Sequence, residues 1–301
     1  MEGRVHYSQC PLCDSRSIGP VLTATDYTVS KEEFAIWECA ACRLRFTQDV
    51  PDAAHIGPFY KSEDYISHSN TSKGLINRLY QRVRRSTLRQ KVALVQKATG
   101  RSSGRALDVG CGTGAFLNAL RKSGWTVQGL EPDTDARALA IRQYGLDVQE
   151  ASSLYNLPEG SFELITLWHV LEHVHDLQGY LAQLRKLLAP GGRLVVAVPN
   201  YTSGDAAIYG RYWAAYDVPR HLYHFAPESM KLLVQRHGMR VAAEHPMWYD
   251  AFYISLLSSR YRSGQTHWVG APLAGLRSNA GALANKERCS SITYIIEPIG
   301  K

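Results

Sequence analysis

The sequence predicts an α/β protein, a parallel sheet covered by helices on both faces with a small cysteine-paired module ahead of it. Three observations carry this. From Gly104 onward, apolar runs of strand length alternate with helix-length periodic segments, the pattern of strands joined by crossover helices. The run Leu107-Asp108-Val109-Gly110-Cys111-Gly112-Thr113-Gly114 takes a strand through a glycine-rich turn into a helix. Four of the six cysteines fall into two CxxC pairs, Cys10/Cys13 and Cys39/Cys42, near the start of the chain.

A chain of 301 residues has room for one large domain and an appendage. Its 45% hydrophobic and 20% charged residues exclude a disordered or fibrous chain. No apolar run nears the roughly 18–20 residues of a membrane span. The start, MEGRVHYSQCPLC, lacks the apolar stretch of a secretory signal, so a cytoplasmic location is expected. The formal charge of +7 is local: residues 61–101 hold ten Lys/Arg against two acids, and the remainder sums to −1. An alkaline isoelectric point set by one segment says little about the partner of the rest.

Residues 1–50 are predicted to form a zinc-ribbon-like module, with strands at Phe34–Trp37 and Leu44–Phe46. Each CxxC turn presents two thiolates, so Cys10, Cys13, Cys39 and Cys42 complete a tetrahedron around one zinc. In a reducing compartment this spacing reads as metal before disulfide. A module this short lacks an adequate core, and metal binding would supply much of its folding free energy. With every ligand drawn from the protein, the zinc is expected to be structural.

Residues 51–103 are predicted to be a helical basic linker. Leu75, Leu79 and Val83, then Leu88, Val92 and Val95, recur at steps of three and four, while Arg82, Arg84, Arg85, Arg89 and Lys91 lie mostly off that stripe. The basic face is either solvated or a contact for RNA or another polyanion. The aromatic stretch from Phe59 through Tyr65 to His68 either folds over a ligand as a lid or packs in the core.

Further strands are predicted at Ala106–Val109, Thr126–Leu130, Val148–Glu150, Leu164–Leu167, Arg193–Val198, Arg240–His245 and Ser291–Glu297. Helices are predicted at Gly114–Ser123, Thr134–Tyr144, Leu177–Leu188 and Pro227–His237. Glycine at 110, 112 and 114 strips the first turn of side chains that would keep a ligand from the backbone. The amides at the following helix N-terminus favour a ligand's carboxylate, and Asp108 can accept from its amino group. Glu131 ends the second strand, 23 residues after Asp108, where a carboxylate can accept from both hydroxyls of a ribose.

In combination DVGCGTG, GLEPD, SFELITLWHVLEHVHD and LLAPGGRLVVAVPN resemble the successive motifs of class I methyltransferases, over about Gly104–Asn200. The resemblance implies a Rossmann-like seven-stranded sheet, mostly parallel with a late antiparallel strand at Ser291–Glu297, and S-adenosylmethionine as cofactor. It implies that the loop from Asp108 to Gly114, Cys111 included, holds the methionine part, and that Glu131 and Pro132 take the ribose. Ala151, Ser152, Trp168 and His169 would edge the adenine. Many relatives carry Asp at 151, and Ala offers no side-chain acceptor there. The domain would span 104–301, with 249–288 an insertion, helical at Ala251–Arg260.

The segment from Tyr216 to Phe225 follows the fifth strand, where the carboxyl edge of the sheet opens over the methyl group. Transfer is an in-line displacement, so alignment can contribute roughly 7–11 kcal/mol and a positioned base about 10²–10⁴-fold. His221 and His224 are the candidate bases; alternatively they pin the loop by hydrogen bonds. Arg220 is placed to clamp a phosphate or carboxylate, and Tyr65, Tyr216 and Tyr223 to line the acceptor. His173 and His175, with Glu172, are expected to be structural, without a metal. Two subgroups are similar in layout: methyltransferases of sugars and other small metabolites, and ribosomal RNA guanine methyltransferases with an N-terminal zinc finger. The Tyr216–Phe225 segment favours a small-molecule or carrier-linked acceptor, with RNA the alternative. A non-catalytic or dehydrogenase-like nucleotide binder is the third reading.

Overall fold

Residues 3–61 and 75–300 are described by the structure, a computed structural model, with the side chains of residues 75–85 outside that set. Tyr65 and the expected lid beyond Lys61 lie outside the described residues, as do the side chains of Arg82, Arg84 and Arg85. The N-terminal module contains β1 (Arg4–Val5), β2 (Ile18–Thr25), β3 (Glu33–Cys39), β4 (Arg45–Thr47) and β5 (Val50–Pro51). Helix α1 (Leu75–Thr99) leads to β6 (Gly104–Val109), α2 (Ala115–Lys122), β7 (Trp125–Leu130), α3 (Thr134–Tyr144) and β8 (Val148–Gln149). Then come β9 (Phe162–Trp168), α4 (Leu177–Leu187), β10 (Leu188–Pro199), α5 (Gly204–Tyr209), β11 (Tyr223–His224), α6 (Pro227–Arg236) and β12 (Met239–Pro246). The described chain closes with α7 (Asp250–Ser263), α8 (Gly270–Ala284) and β13 (Ser291–Pro298).

The seven-stranded sheet runs β12-β13-β10-β9-β6-β7-β8. Strand β13 is antiparallel to both of its neighbours, and the pairs from β10 through β8 are parallel. Side chains alternate between the two faces, as the pleat requires. Leu164 and Val195 pack with Val95 of α1 and Phe116 and Leu120 of α2. Ile165, Leu167, Leu194 and Val196 pack with Leu181 and Leu184 of α4 and Leu233 of α6. Strands buried on both faces read as continuous apolar runs, which is why LITLW and RLVVAV were visible in the sequence.

The module is not a detached bead. Its sheet has the order β11-β4-β3-β2, so the outer strand comes from the loop after β10. Thr47 N donates to Leu222 O at 2.9 Å, and Phe46 registers with Tyr223. Cys10, Leu12, Leu44 and Phe46 share one apolar cluster with Met230 and Leu233 of the sheet domain.

The insertion between β12 and β13 is a helical hairpin, and it contains a second helix, α8, that the sequence reading did not foresee. Asp205, fully buried on α5, accepts from Trp213 Nε1, Ser278 Oγ and Ser290 Oγ, each at 2.7 Å, and so ties α8 to the body. The outer stripe of α8 leaves Leu273, Leu276 and Leu283 exposed. Among the described residues no helix is long and apolar enough to cross a membrane.

Candidate active site

The glycine turn stands between the end of β6 and the start of α2. A Cβ on Gly110, at φ +70°, would overlap Val170 Cγ2, so that position is closed by packing. Gly112, at φ +54°, has nothing within 4 Å of its missing Cβ and faces open space. Only there is the turn bare toward a ligand. Cys111 contributes main chain alone: its thiol is buried behind the turn with Leu117 and Val148, and burial pushes it upward. The expectation that Cys111 helps hold a ligand is thereby limited to its backbone.

Two carboxylates flank the turn. Asp108 is buried and accepts from Thr166 Oγ1 at 2.6 Å. Burial raises its carboxyl to about 7, against the Thr166 hydrogen bond and the nearby Lys91 ammonium. Glu131 accepts from Gly112 N at 2.7 Å and from Asp133 N at 2.9 Å. Each carboxylate oxygen has two acceptor sites, so one on each oxygen remains for hydroxyls. Pro132 and Ser152 are exposed beside this edge, and Ala151 opens the short turn Ala151–Asn156; the Ser152 hydroxyl is already donated to Glu150 at 2.7 Å.

Lys91 departs from the basic face expected to be solvated or to meet a polyanion. Its ammonium lies 4.0 Å from the Trp168 ring centroid, and burial lowers its pKa while Asp108 opposes that. Helix α1 packs on α2, β9 and β10, which carries this lysine over the carboxyl edge of the sheet. His169, at φ +57°, sits between two acids: Nδ1 is 3.5 Å from Glu172 and Nε2 is 3.3 Å from Asp250. Burial works against its charge, yet Asp250 and Glu172 raise it to about 9. Asp250 belongs to the insertion, and nothing in the sequence pairs it with residue 169.

The segment Tyr216–Phe225 is turned inward, which corrects four expectations. Arg220 is 1% exposed and cannot clamp an acceptor, because its guanidinium is engaged by Asp26 at 3.0 Å, Asp217 at 2.7 Å and the Phe59 carbonyl at 2.8 Å. Tyr216 is buried and accepts from Arg45 at 3.0 Å. Tyr223 is buried and donates to His175 O at 3.1 Å. His224 is 4% exposed, with Nε2 3.0 Å from Thr47 Oγ1. The Thr47 hydroxyl donates to His221 O at 2.7 Å, so it accepts from His224, whose Nε2 therefore carries a proton. His224 pins β11 to β4 and offers no lone pair there.

His221 differs. Its Nδ1 lies 2.8 Å from the Ala215 carbonyl, which can only accept, so Nδ1 carries a proton and the neutral ring keeps its lone pair on Nε2. The ring stands edge-on to His173, 4.6 Å between centroids. Burial first, then the His221 ring, lower His173 to about 4. Tyr60, the last described part of the aromatic segment on this side, places its hydroxyl 3.0 Å from His173 Nδ1.

The four module cysteines converge as their spacing implies. Sγ atoms of Cys10 and Cys42 are 3.5 Å apart, those of Cys13 and Cys39 3.6 Å, and all four lie within 4.8 Å of one another. Bonds of about 2.3 Å to a tetrahedral zinc put sulfurs roughly 3.8 Å apart, so the cluster fits that ion. The neighbouring Cys42 thiol lowers Cys10 to about 5 against the opposing effect of burial.

Comparison with known proteins follows the same lines. Residues 80–244 match a family described as a methyltransferase domain. The ubiquinone biosynthesis O-methyltransferase of Methylococcus capsulatus is 27% identical over 173 residues, 53% of this chain and 73% of that protein. The demethylmenaquinone methyltransferase of Tropheryma whipplei is 32% identical over 120 residues, 38% of this chain and 49% of that one. A solved structure from Galdieria sulphuraria, described as a sarcosine dimethylglycine methyltransferase, aligns with a TM-score of 0.51 at 14% identity, over 72% of this chain and 88% of that chain, and shares the fold. The family match runs through more than half of the chain, across the strands that build the turn and its carboxylates. On that ground the chain belongs to the S-adenosylmethionine-dependent methyltransferases of class I.

Proposed function

We propose that the enzyme methylates a small or carrier-linked acceptor, that Asp108–Gly114 and Glu131 hold the methionine and ribose ends of the cofactor, and that Cys10, Cys13, Cys39 and Cys42 hold one structural zinc. The observation that carries the small acceptor is the inward turn of the loop after β10. Its arginine is paired with Asp26 and Asp217, and Arg45 of the module beside it is paired with Glu38 at 2.7 Å. A polynucleotide lying along this loop would need unpaired cations there to neutralise its phosphates. The two relatives named for quinone pathways support the same reading. On the acceptor side His221 presents the available lone pair. Assaying transfer of a labelled methyl group to hydroxylated small molecules and to RNA tests this. RNA methylation, with binding that weakens steeply as salt rises, would overturn it.

Two further results are expected for the cofactor site. Glu131→Ala should weaken S-adenosylhomocysteine binding by about 1.5–3 kcal/mol, the scale of hydrogen bonds to a charged acceptor, as read by titration calorimetry. Unchanged affinity would remove Glu131 from the ribose assignment. Asp108 pairs with the ligand's amino group only when ionised, and its carboxyl lies at about 7. Affinity should therefore rise with pH up through about 7 and level off above it, and Asp108→Asn should flatten that dependence. A profile identical in wild type and variant would contradict the pairing.

A further inference from the structure

We infer that Glu172, His173 and His221 form a site for a first-row divalent cation where the turn after β9 meets the loop before β11. Their ligating atoms lie within 4.8 Å of one another. Glu172 is fully buried, and neither carboxylate oxygen has a hydrogen-bond partner; its nearest cationic neighbour, His169 Nδ1, stands 3.5 Å away. A buried carboxylate without hydrogen-bond donors is costly, and the His169 imidazole, 3.5 Å from Oε1, leaves Oε2 with no partner.

Both imidazoles are set for ligation. His221 Nδ1 faces the Ala215 carbonyl at 2.8 Å and His173 Nδ1 faces the Arg220 carbonyl at 3.0 Å. Each ring thus keeps a proton on Nδ1, with the Tyr60 hydroxyl a second group 3.0 Å from that of His173, and in its neutral form carries the lone pair on Nε2, the arrangement that supports metal-bound histidines. The donors come from two segments locked together. Glu172 and His173 lie in the short turn Leu171–His173 after β9, His221 lies in the loop before β11, and Leu222 N donates to Glu172 O at 2.8 Å. Asp217 Oδ2, 3.9 Å from His221 Nε2, adds negative charge behind the site. The segment HVLEHVH alone holds only two of these ligands; the third arrives 48 residues after His173.

Two imidazoles and a carboxylate suit zinc, iron(II), cobalt or manganese better than calcium or magnesium, and three protein ligands leave positions open. The inference rests on the proposed methyl transfer and deepens it. With a cation held there, His221 would be its ligand and not a free base, and an acceptor hydroxyl on the cation would be more acidic and would give its proton to water. The oxygen then attacks the sulfonium methyl carbon, and the carbon–sulfur bond breaks with its electron pair moving to sulfur. The products are the methyl ether and S-adenosylhomocysteine.

Cobalt(II) titration of the protein, with zinc retained in the cysteine cluster and labile metal removed by a mild chelator, tests the site. The wild type should take up one further equivalent with the weak visible bands of nitrogen and oxygen ligation and no intense thiolate band. Glu172→Gln, which preserves shape, should weaken that uptake at least about tenfold while keeping its zinc and its S-adenosylhomocysteine affinity. A wild type that binds no ion beyond the thiolate-held one overturns the site, and this holds however the variant folds. Equal cobalt affinity in wild type and variant overturns it too. Cobalt uptake without S-adenosylhomocysteine affinity would support the cation site and count against the cofactor reading alone.

Discussion

Cys39→Ser should abolish methyl transfer while leaving S-adenosylhomocysteine affinity nearly unchanged. Structural zinc contributes roughly 10–16 kcal/mol to the folding of small zinc domains, and no core of the module alone replaces it. Without the cluster, β3 and β4 lose their anchor, and β11 loses the strand it pairs with. His221 O, held by the Thr47 hydroxyl at 2.7 Å, is then released, and the acceptor side loses its shape. The glycine turn and Glu131 make their own contacts with β7 and its following loop, so cofactor binding should survive. Calorimetry with S-adenosylhomocysteine alongside a transfer assay measures both arms. A zinc-free variant with full activity would show that the module is dispensable to the site.

Arg220→Met should destabilise the protein by about 3–5 kcal/mol, the cost of breaking a buried ion pair and leaving its partner uncompensated. Asp26 is buried, and it is held well below the ordinary carboxylate range because hydrogen bonds from Ser30 and Arg220, with the Arg220 charge, overcome burial. Asp217 is likewise held low by Arg220 against burial. Removing the guanidinium reverses both balances. The sign of the pH dependence follows from depressed values. The stabilisation is full above the unfolded carboxylate value of about 4 and is lost as pH falls through the folded values, so wild type and variant should converge in acid. Denaturant unfolding at neutral and acidic pH measures this; an equally large difference at both would exclude these two carboxylates as its source.

Much of the sheet domain was legible because doubly covered strands are apolar throughout and the turn after β6 needs its glycines. The final strand was legible from Ile, Tyr and Ile in alternation. Helix α8 was not. Its buried face is Ala271, Gly275, Ser278 and Ala282, correctly spaced but made of small residues, and periodicity is read from large ones. A Cβ on Gly275 would lie 3.1 Å from Ala251 O, so the small stripe reflects close helix approach. The turn and carboxylates proposed to hold the cofactor were legible since they sit on one contiguous motif and the next strand end. The arrangement of Tyr216–Phe225 was not, because its geometry depends on partners far away in sequence. Arg220 meets Asp26 across 194 residues, and His224 meets Thr47 across 177. The loop's polar residues announce a function-bearing segment, but only the fold reveals that most of them face the seam.

That the module borrows its outer strand from the loop after β10 also orders events during synthesis. Phe46 leaves the ribosome early, yet its partner Tyr223 is made 177 residues later, which at 5–20 residues per second is on the order of ten to thirty seconds. Through that interval a nascent ribbon carries an unpaired edge, the kind of surface that invites wrong pairing. Early metal capture would keep it folded while it waits, and closure across so long a chain would come as a late step of maturation.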